Sequence, residues 1–295
     1  MGCVRPMARV FVYEKSSTGS GQWSNTQTLE GGDAWWAQYF AASVALSADG
    51  LVVAPSHDWT EQVAIDEPMA YLYRRDPKTP SSWVQAQKLL PMPGTPGSAL
   101  RWQGQVATYG GIIIAGAPRP VRDESADAEP GLIFICENGG PPPPANEWIG
   151  RERQKLTPFD AAPGDQFGVS VAIDGDYAVV GAPYDDERAV DAGAAYVFKW
   201  QAGPPAMWRQ VAKLTAGESA APGAHWGRWV VLDGGSLATS DRCRVYMFRQ
   251  SGASESWALV STIRLWKEET CSPENSEGPE ISLSGDRLAT PGGVW

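Results

Sequence analysis

Cysteine and histidine, the side chains typical of a zinc site, are few in this chain. The sequence contains four cysteines and two histidines. Because no C-x-x-C pair occurs and a zinc site needs four clustered ligands, the sequence predicts no metal site of this kind. The cysteines can form disulfides or remain buried thiols, and their spacing leaves both possibilities open. They are Cys3, Cys136, Cys243 and Cys271.

Carboxylates are grouped in several segments that the sequence pattern places in loops. They could accept hydrogen bonds from sugar hydroxyls, and a suitably spaced pair could hydrolyse a glycosidic bond. The chain has no G-x-S-x-G segment, no Walker loop and no dinucleotide-binding loop after a strand, so it predicts no catalytic residue and no cofactor. The carboxylate segments are His57-Asp58, Asp66-Glu67, Asp123-Glu124, Asp185-Asp186-Glu187, Asp191 and Asp241.

A repeated pattern predicts the elements that position these side chains. Five times, a Trp is followed six or eight residues later by a Leu, and a short apolar and aromatic run precedes the Trp. Two more strand-like runs joined by a Gly/Asp turn lie upstream, most clearly at Val169–Ile173 and Tyr177–Val180. Four short strands at a period of about 60 residues are typical of a β-propeller blade. The five in-phase Trp are predicted to pack in the core: Trp23, Trp83, Trp148, Trp208 and Trp257.

The phase of the repeat predicts one all-β domain, a closed five-bladed propeller with four antiparallel strands in each blade. The chain opens with strands three and four of a unit and stops after strands one and two. The last blade would therefore be completed by both termini, with residues 288–290 pairing with residues 9–13. The complete blades are expected at about 30–90, 91–157, 158–215 and 216–265, and the fifth combines 266–295 with 8–29.

The third unit resembles a known repeat family. It contains Phe167-Gly168 and Gly181-Ala182-Pro183, and the preceding unit contains Gly116-Ala117-Pro118. These segments are similar to the FG-GAP repeats, which are related to the blades of the integrin α-subunit propeller. The resemblance implies a propeller used for adhesion or protein interaction, without catalytic residues, usually in secreted or cell-surface proteins.

Two features depart from the integrin pattern. Integrin-type blades carry a calcium loop between strands one and two, whereas this chain makes that connection in a few residues, as at Asp174-Gly175-Asp176. Since calcium needs six to eight converging oxygens, the short turns predict no calcium site. Integrin propellers also have seven blades, so this chain is either a small propeller or a fragment of a larger one.

The charge balance excludes two classes of partner. Twenty-four Lys and Arg against thirty-four Asp and Glu give a net charge of −10, which repels nucleic acid. The longest apolar run, around residues 112–117, is far shorter than the roughly 18 residues that span a bilayer, and the first thirty residues show no signal-peptide core. We therefore expect no nucleic-acid partner and no membrane insertion, and the resemblance implies an extracellular or cell-surface location.

Loop residues that break the repeat are the predicted ligand-binding residues, because in-phase positions serve packing. Aromatic rings beside carboxylates suit a sugar or a protein surface. The sequence thus predicts a non-enzymatic binding propeller for a protein or glycan, with a five-bladed glycoside hydrolase or a structural fragment as alternatives. The predicted site comprises Trp35, Trp36, Trp59, Tyr184, Asp185, Asp186 and His225.

Overall fold

The computed structural model describes residues 8–16, 21–30, 40–48, 50–54, 70–89, 104–118, 130–137, 152–251, 255–265, 279–285 and 287–290. Within these segments the chain is built from β-strands, with a single turn of 3₁₀ helix at Gly217–Ser219. No helix among the described residues is long and apolar enough to cross a membrane. The predicted all-β class is confirmed.

The first half of the chain forms an N-terminal hairpin and two four-stranded sheets. The hairpin consists of β1 (Arg9–Lys15) and β2 (Trp23–Glu30). The first sheet consists of β3 (Ser43–Leu46), β4 (Leu51–Ala54), β5 (Ala70–Arg75) and β6 (Trp83–Leu89). The second sheet consists of β7 (Val106–Tyr109), β8 (Ile112–Ala117), β9 (Leu132–Glu137) and β10 (Glu152–Leu156).

The second half forms two further four-stranded sheets and a C-terminal hairpin. The third sheet consists of β11 (Ser170–Asp174), β12 (Tyr177–Ala182), β13 (Ala194–Gln201) and β14 (Met207–Leu214). The fourth sheet consists of β15 (Trp229–Asp233), β16 (Ser236–Ser240), β17 (Arg244–Gln250) and β18 (Trp257–Arg264). The hairpin consists of β19 (Ser282–Ser284) and β20 (Arg287–Ala289). Each of the four sheets lies within one of the predicted units, while the single-domain assignment stays a prediction.

Every sheet pairs its strands antiparallel in chain order, as predicted for propeller blades. A shared irregularity confirms that the units are equivalent: the register between strands three and four shifts within the apolar and aromatic run of strand three. The shift lies at Val12/Tyr13, Leu72/Tyr73, Val197/Phe198 and Met247/Phe248. Such a bulge increases the local twist, which gives the outer strands of each sheet the same bend.

The aromatic residue of the Phe-Gly position fills the space between adjacent sheets. Phe167 is fully buried and meets the rings of Tyr196 and Phe198 edge-on, at centroid distances of 5.5 and 6.1 Å. Trp226 and Phe40 make the same pair of contacts in their own sheets. These rings join core clusters that include residues of the preceding sheet, so each sheet packs face to face on its neighbour.

The glycines of the two family motifs meet where adjacent sheets touch. A Cβ added to Gly181 would lie 1.9 Å from the Gly227 carbonyl oxygen, and one added to Gly116 would lie 1.8 Å from that of Gly168. A real side chain cannot approach a backbone oxygen so closely, so only glycine permits this spacing. The Gly-Ala-Pro glycine of one sheet therefore fits against the Phe-Gly glycine of the next.

The prediction that all five in-phase Trp pack in the core is only partly confirmed. Trp83 and Trp208 are buried and Trp257 is half-buried, but Trp23 is 67% exposed, and Trp148 lies outside the described residues. The prediction is wrong for Trp23 in this structure. The reason is positional: strand four of a preceding sheet contacts Trp83 and Trp208, and no described sheet precedes the N-terminal hairpin.

The two half units occupy the places that the phase of the repeat predicts, but their strands are not joined. The N-terminal hairpin packs Val10 and Leu29 against the first sheet, and Ile281 and Leu288 near the C-terminus pack against the fourth sheet. Among the described strands, β1 pairs only with β2 and β20 only with β19. The predicted pairing of residues 288–290 with residues 9–13 is therefore not formed here.

Candidate functional site

Two loops from adjacent sheets are hydrogen-bonded into one surface. Residues 183–193 connect β12 to β13 in the third sheet, and residues 223–228 lead into β15 of the fourth sheet. The backbone N–H groups of Gly223, His225 and Trp226 donate to the carbonyls of Val190, Asp191 and Ala192, at 2.8, 3.1 and 2.9 Å. We call residues 183–193 with 223–228 the loop surface. Its backbone is fixed across the boundary between two sheets.

Tyr184 and His225 form the aromatic centre of the loop surface. Their ring centroids lie 4.5 Å apart and the ring planes are tilted by 41°. His225 has a φ of +54°, and Gln166 has the same φ at the equivalent position in the third unit. A residue other than glycine adopts this left-handed conformation at a cost in free energy. The conformation persists here because the surrounding hydrogen bonds impose it. The repeat thus fixes the position of the buried His225 ring, which contacts Tyr184.

Asp185 belongs to loop 183–193, but its side chain is buried. The residue is only 3% exposed. Its carboxylate accepts hydrogen bonds from the Tyr196 hydroxyl at 2.7 Å and the Glu187 N–H at 3.1 Å. In the fourth sheet Asp241 accepts from the Tyr246 hydroxyl at 2.8 Å in the same way. The sequence pattern predicted Asp185 as a residue that breaks the repeat, whereas in both the third and the fourth sheets a loop Asp accepts from the in-phase Tyr of strand three.

A lysine that the sequence argument missed holds the acidic segments together. The Lys213 ammonium lies 2.6 Å from Asp160, 2.8 Å from Asp185 and 2.7 Å from Glu187. Burial opposes the charge on Lys213, but hydrogen bonds to Asp160, Asp185 and Glu187 raise its pKa above the usual range. The Lys-Leu-Thr segment could have indicated this residue, since Lys155 occupies the equivalent position in the second sheet.

A comparison with known protein families identifies the repeat that contains part of the loop surface. Residues 151–198 match the family model of the FG-GAP repeat. The chain contains an FG-GAP repeat. The match covers β10 to most of β13, where the predicted resemblance rests on Phe167-Gly168 and Gly181-Ala182-Pro183. A search of curated proteins gives no significant match.

Among the carboxyl groups of the described segments, Asp165 within the FG-GAP repeat has the most strongly shifted pKa. It is buried, and its carboxylate accepts a hydrogen bond from the Ala162 N–H at 3.1 Å. Burial raises the pKa of Asp165 to about 6, the Ala162 hydrogen bond opposes this rise, and repulsion from Asp185 and Asp186 adds to it. The backbone carbonyl of Asp165 accepts from the Tyr184 N–H at 3.2 Å, so the backbone of this residue also supports the aromatic centre.

The structure brings four of the seven predicted site residues together. Tyr184, Asp185, Asp186 and His225 lie on or under the loop surface, and the exposed Asp186 accepts a hydrogen bond from the Asp191 N–H at 2.7 Å. Trp35, Trp36 and Trp59 lie outside the described residues. Whether any of the seven binds a ligand stays a prediction.

Carboxylates in the strand-one turns of the FG-GAP repeat and the following unit connect adjacent sheets. Asp174 accepts a hydrogen bond from the Gly234 N–H at 2.7 Å, and Asp233 accepts from the Gly285 N–H. Within the described segments, no group of three or more His, Cys, Asp or Glu side chains is arranged to hold a metal ion. The turn carboxylates therefore have a structural partner in the neighbouring sheet.

The structure distinguishes two of the four cysteines. Cys243, next to the Asp241-Tyr246 pair, is disulfide-bonded, and the cysteine bonded to it lies outside the described residues. Cys136 is a buried thiol on β9. The sequence left disulfides and thiols as alternatives, and both kinds occur.

Proposed function

We propose that this chain is a non-enzymatic binding propeller that recognises a protein or a glycan through the loop surface. The observation that carries the proposal is the hydrogen-bonded connection of residues 183–193 to residues 223–228, which fixes Tyr184 and His225 in contact. The half-buried Tyr184 ring, which packs on the buried His225 ring beside the exposed carboxylate of Asp186, offers stacking and hydrogen bonding together. FG-GAP repeats are typical of propeller-type protein-binding domains, which agrees with this assignment.

Tyr184 and Asp186 are the proposed contact residues in the described part of the chain, and the buried His225 contributes to the proposed site through its contact with the Tyr184 ring. Trp35, Trp36 and Trp59 complete the proposed site as further stacking rings. Asp185 supports the site from below, because its carboxylate is already hydrogen-bonded to Tyr196 and Lys213. The proposal includes no cofactor, metal ion, nucleic acid or membrane insertion.

The proposed fold is a closed ring of five blades in which the two hairpins share one blade. Apolar side chains left exposed at the two ends support this closure. Phe11 and Tyr13 are exposed, although their in-phase counterparts Tyr196 and Phe198 are buried against the preceding sheet. Burial of such a surface stabilises a fold by about 25 cal/mol per Å². The exposed apolar residues at the ends are Phe11, Tyr13, Trp23, Val44 and Leu46 on one side and Leu259 and Val260 on the other.

An extracellular or cell-surface location is part of the proposal. The FG-GAP family is typically extracellular, and the disulfide at Cys243 agrees with an oxidising compartment, where such bonds form and persist.

A glycoside hydrolase is the alternative of a different class. One observation favours it: Asp165 has a pKa of about 6, which suits a general acid. Against it, Asp165 and its neighbour Asp185 are both buried, and Asp185 is neutralised by Lys213. A glycosidase needs two carboxyl groups that reach the same sugar. The binding function is therefore the better supported proposal.

Binding without turnover is the test of this function. A glycan array and an array of secreted and membrane-protein ectodomains should yield a ligand, and a polysaccharide panel should show no hydrolysis. Tyr184→Ala should weaken that binding about tenfold or more, because it removes the central ring. Tyr109→Ala, at an exposed tyrosine on β7, is the matched control and should leave binding unchanged. Turnover of any polysaccharide would contradict the proposal, and so would binding that Tyr184→Ala leaves intact.

A further inference from the structure

Two apolar side chains lie in solvent at the border of the loop surface. Phe159 is 81% exposed and Val190 is 66% exposed. Each lies at the second position of a tight turn, closed by the hydrogen bonds from the Ala161 N–H to Pro158 and from the Ala192 N–H to Ala189. A single exposed apolar side chain is normal on a protein surface, whereas apolar side chains grouped on one surface mark a contact site.

The turn itself does not require Phe159. The next unit closes a turn at the equivalent residues with Gly217, through the hydrogen bond from the Ser219 N–H to Ala216 at 3.1 Å, although Gly217 has a φ of +59° that Phe159 does not share. The Phe159 N–H donates to Gln210 Oε1 at 3.2 Å, which fixes the backbone while the ring remains in solvent. Since the repeat tolerates glycine here, the phenyl ring has no packing role that the fold demands.

One ammonium group holds the segments of both side chains. Lys213 contacts Asp160, the residue after Phe159, and Glu187, three residues before Val190, at 2.6 and 2.7 Å. The Val190 carbonyl also accepts the Gly223 N–H at 2.8 Å. The two apolar side chains therefore project from segments with a fixed separation. Little conformational entropy is lost when a partner binds them, because their backbone is already ordered.

The charge around the two side chains indicates what kind of partner fits. Asp160, Glu187, Asp186 and Asp191 border them, and of these Asp160 and Glu187 share Lys213. Arg188, the one basic residue of loop 183–193, lies 3.7 Å from Glu187, and the Arg242 guanidinium lies next to Gly223. An excess of carboxylates remains, and the whole chain carries −10. A second copy would be repelled, whereas a basic partner would be attracted.

We infer that Phe159 and Val190 are the apolar anchors of a contact site for a protein segment that carries Lys or Arg beside an apolar side chain. This inference rests on the proposed binding function and names the class of partner for the same face of the molecule. The apolar side chain of the segment packs between the two anchors, and its cation lies over Asp186 and Glu187.

A displayed library of random peptides tests this inference with the intact chain. We expect selection on the wild type to enrich peptides that place Lys or Arg next to an apolar residue. Each enriched peptide, synthesised with a fluorophore, should bind Phe159→Gly and Val190→Ser about tenfold more weakly than wild type in anisotropy titrations. Its affinity should fall several-fold between about 50 and 300 mM salt, because the rim charges are exposed.

The controls separate loss of contact from loss of fold. Phe159→Gly removes an exposed ring but adds backbone freedom, so its melting temperature should fall by only a few degrees. Val84→Ser, at an exposed valine on β6, should leave peptide affinity unchanged. The inference is overturned if selection enriches no peptide, if the enriched peptides lack basic residues, or if Phe159→Gly binds them normally. A glycan ligand lost in Tyr184→Ala would uphold the proposed function while overturning this inference.

Discussion

The side-chain amide of Gln154 binds both backbone polar groups of Trp208 in the adjacent sheet. Gln154 Oε1 accepts the Trp208 N–H at 2.8 Å, and Gln154 Nε2 donates to the Trp208 carbonyl at 2.9 Å. Gln27 makes the same two bonds to Trp83, at 2.6 and 2.8 Å. At Trp83 in the first sheet and Trp208 in the third, strand four is thereby hydrogen-bonded to a side chain of the preceding strands, which fixes the separation of the adjacent sheets.

Loss of this amide should destabilise the boundary between the second and third sheets. Gln154→Ala leaves the Trp208 N–H and carbonyl without these partners, which costs about 1 to 3 kcal/mol. Urea denaturation should show this decrease in the free energy of unfolding. The control is Gln201→Ala at the exposed end of β13, where we expect a change within about 0.5 kcal/mol. Equal effects of the two substitutions would contradict the role of Gln154.

A methyl group at the glycine contact should disrupt the packing of adjacent sheets. In Gly181→Ala the new Cβ would lie 1.9 Å from the Gly227 carbonyl oxygen, so one sheet must move. We expect a loss of about 3 kcal/mol or more in thermal or urea unfolding. Gly175→Ala is the control, because its φ is +56° but no atom lies within 4 Å of the added Cβ, and it should cost only about 1 kcal/mol. The prediction is wrong if both variants are equally stable.

Removal of the Asp165 charge should stabilise the protein at neutral and higher pH. Its pKa rises from 3.8 to about 6 on folding, so the folded state favours the protonated form. The contribution of Asp165 to the free energy of unfolding is complete below pH 3.8 and is lost as the pH rises to about 6. Ionisation of the buried carboxyl group therefore lowers the free energy of unfolding by about 3 kcal/mol at most.

Asp165→Asn should therefore raise the melting temperature at pH 8 and leave it nearly unchanged at pH 3.5. Its amide oxygen can still accept from the Ala162 N–H. Asp176→Asn, at an exposed position of the same sheet, is the control and should show no such pH-dependent difference. A pH-independent difference between Asp165→Asn and wild type would contradict the assignment of the shift to burial of the charge.

The loss of stability on replacing Trp23 distinguishes a closed ring from one with separate ends. If the ring closes as proposed, Trp23 is covered by the fourth sheet, and Trp23→Ala should cost about 3 to 5 kcal/mol, like Trp208→Ala. If Trp23 stays exposed, the cost should fall within about 0.5 kcal/mol. Urea unfolding of the two variants, with Trp208→Ala as the internal reference, measures the difference. A small effect at Trp23 beside a large one at Trp208 would contradict closure.

The four-stranded unit and the place of the Asp185 loop were predictable from local sequence. Alternating apolar runs, Gly/Asp turns and the in-phase Trp require only neighbouring residues, and a repeat displays each local rule several times. For the same reason Tyr184 and Asp186 were placed on the loop between strands two and three, and His225 on the loop before the next sheet, while their role in binding stays a prediction. The role of Asp185 was missed because its partners, Tyr196 and Lys213, are 11 and 28 residues away in the chain.

The sequence by itself determined the strand order within each sheet, the phase of the repeat and the glycine positions at the Phe-Gly and Gly-Ala-Pro motifs. These follow from hydrophobic period and backbone freedom, which are properties of short segments. Only the tertiary structure decided which in-phase residues are buried, since Trp23 and Trp208 share one pattern but only Trp208 has a preceding sheet against it. The physical reason is that burial and charge pairing depend on what the next sheet places opposite a side chain, and a single repeat unit does not contain that surface.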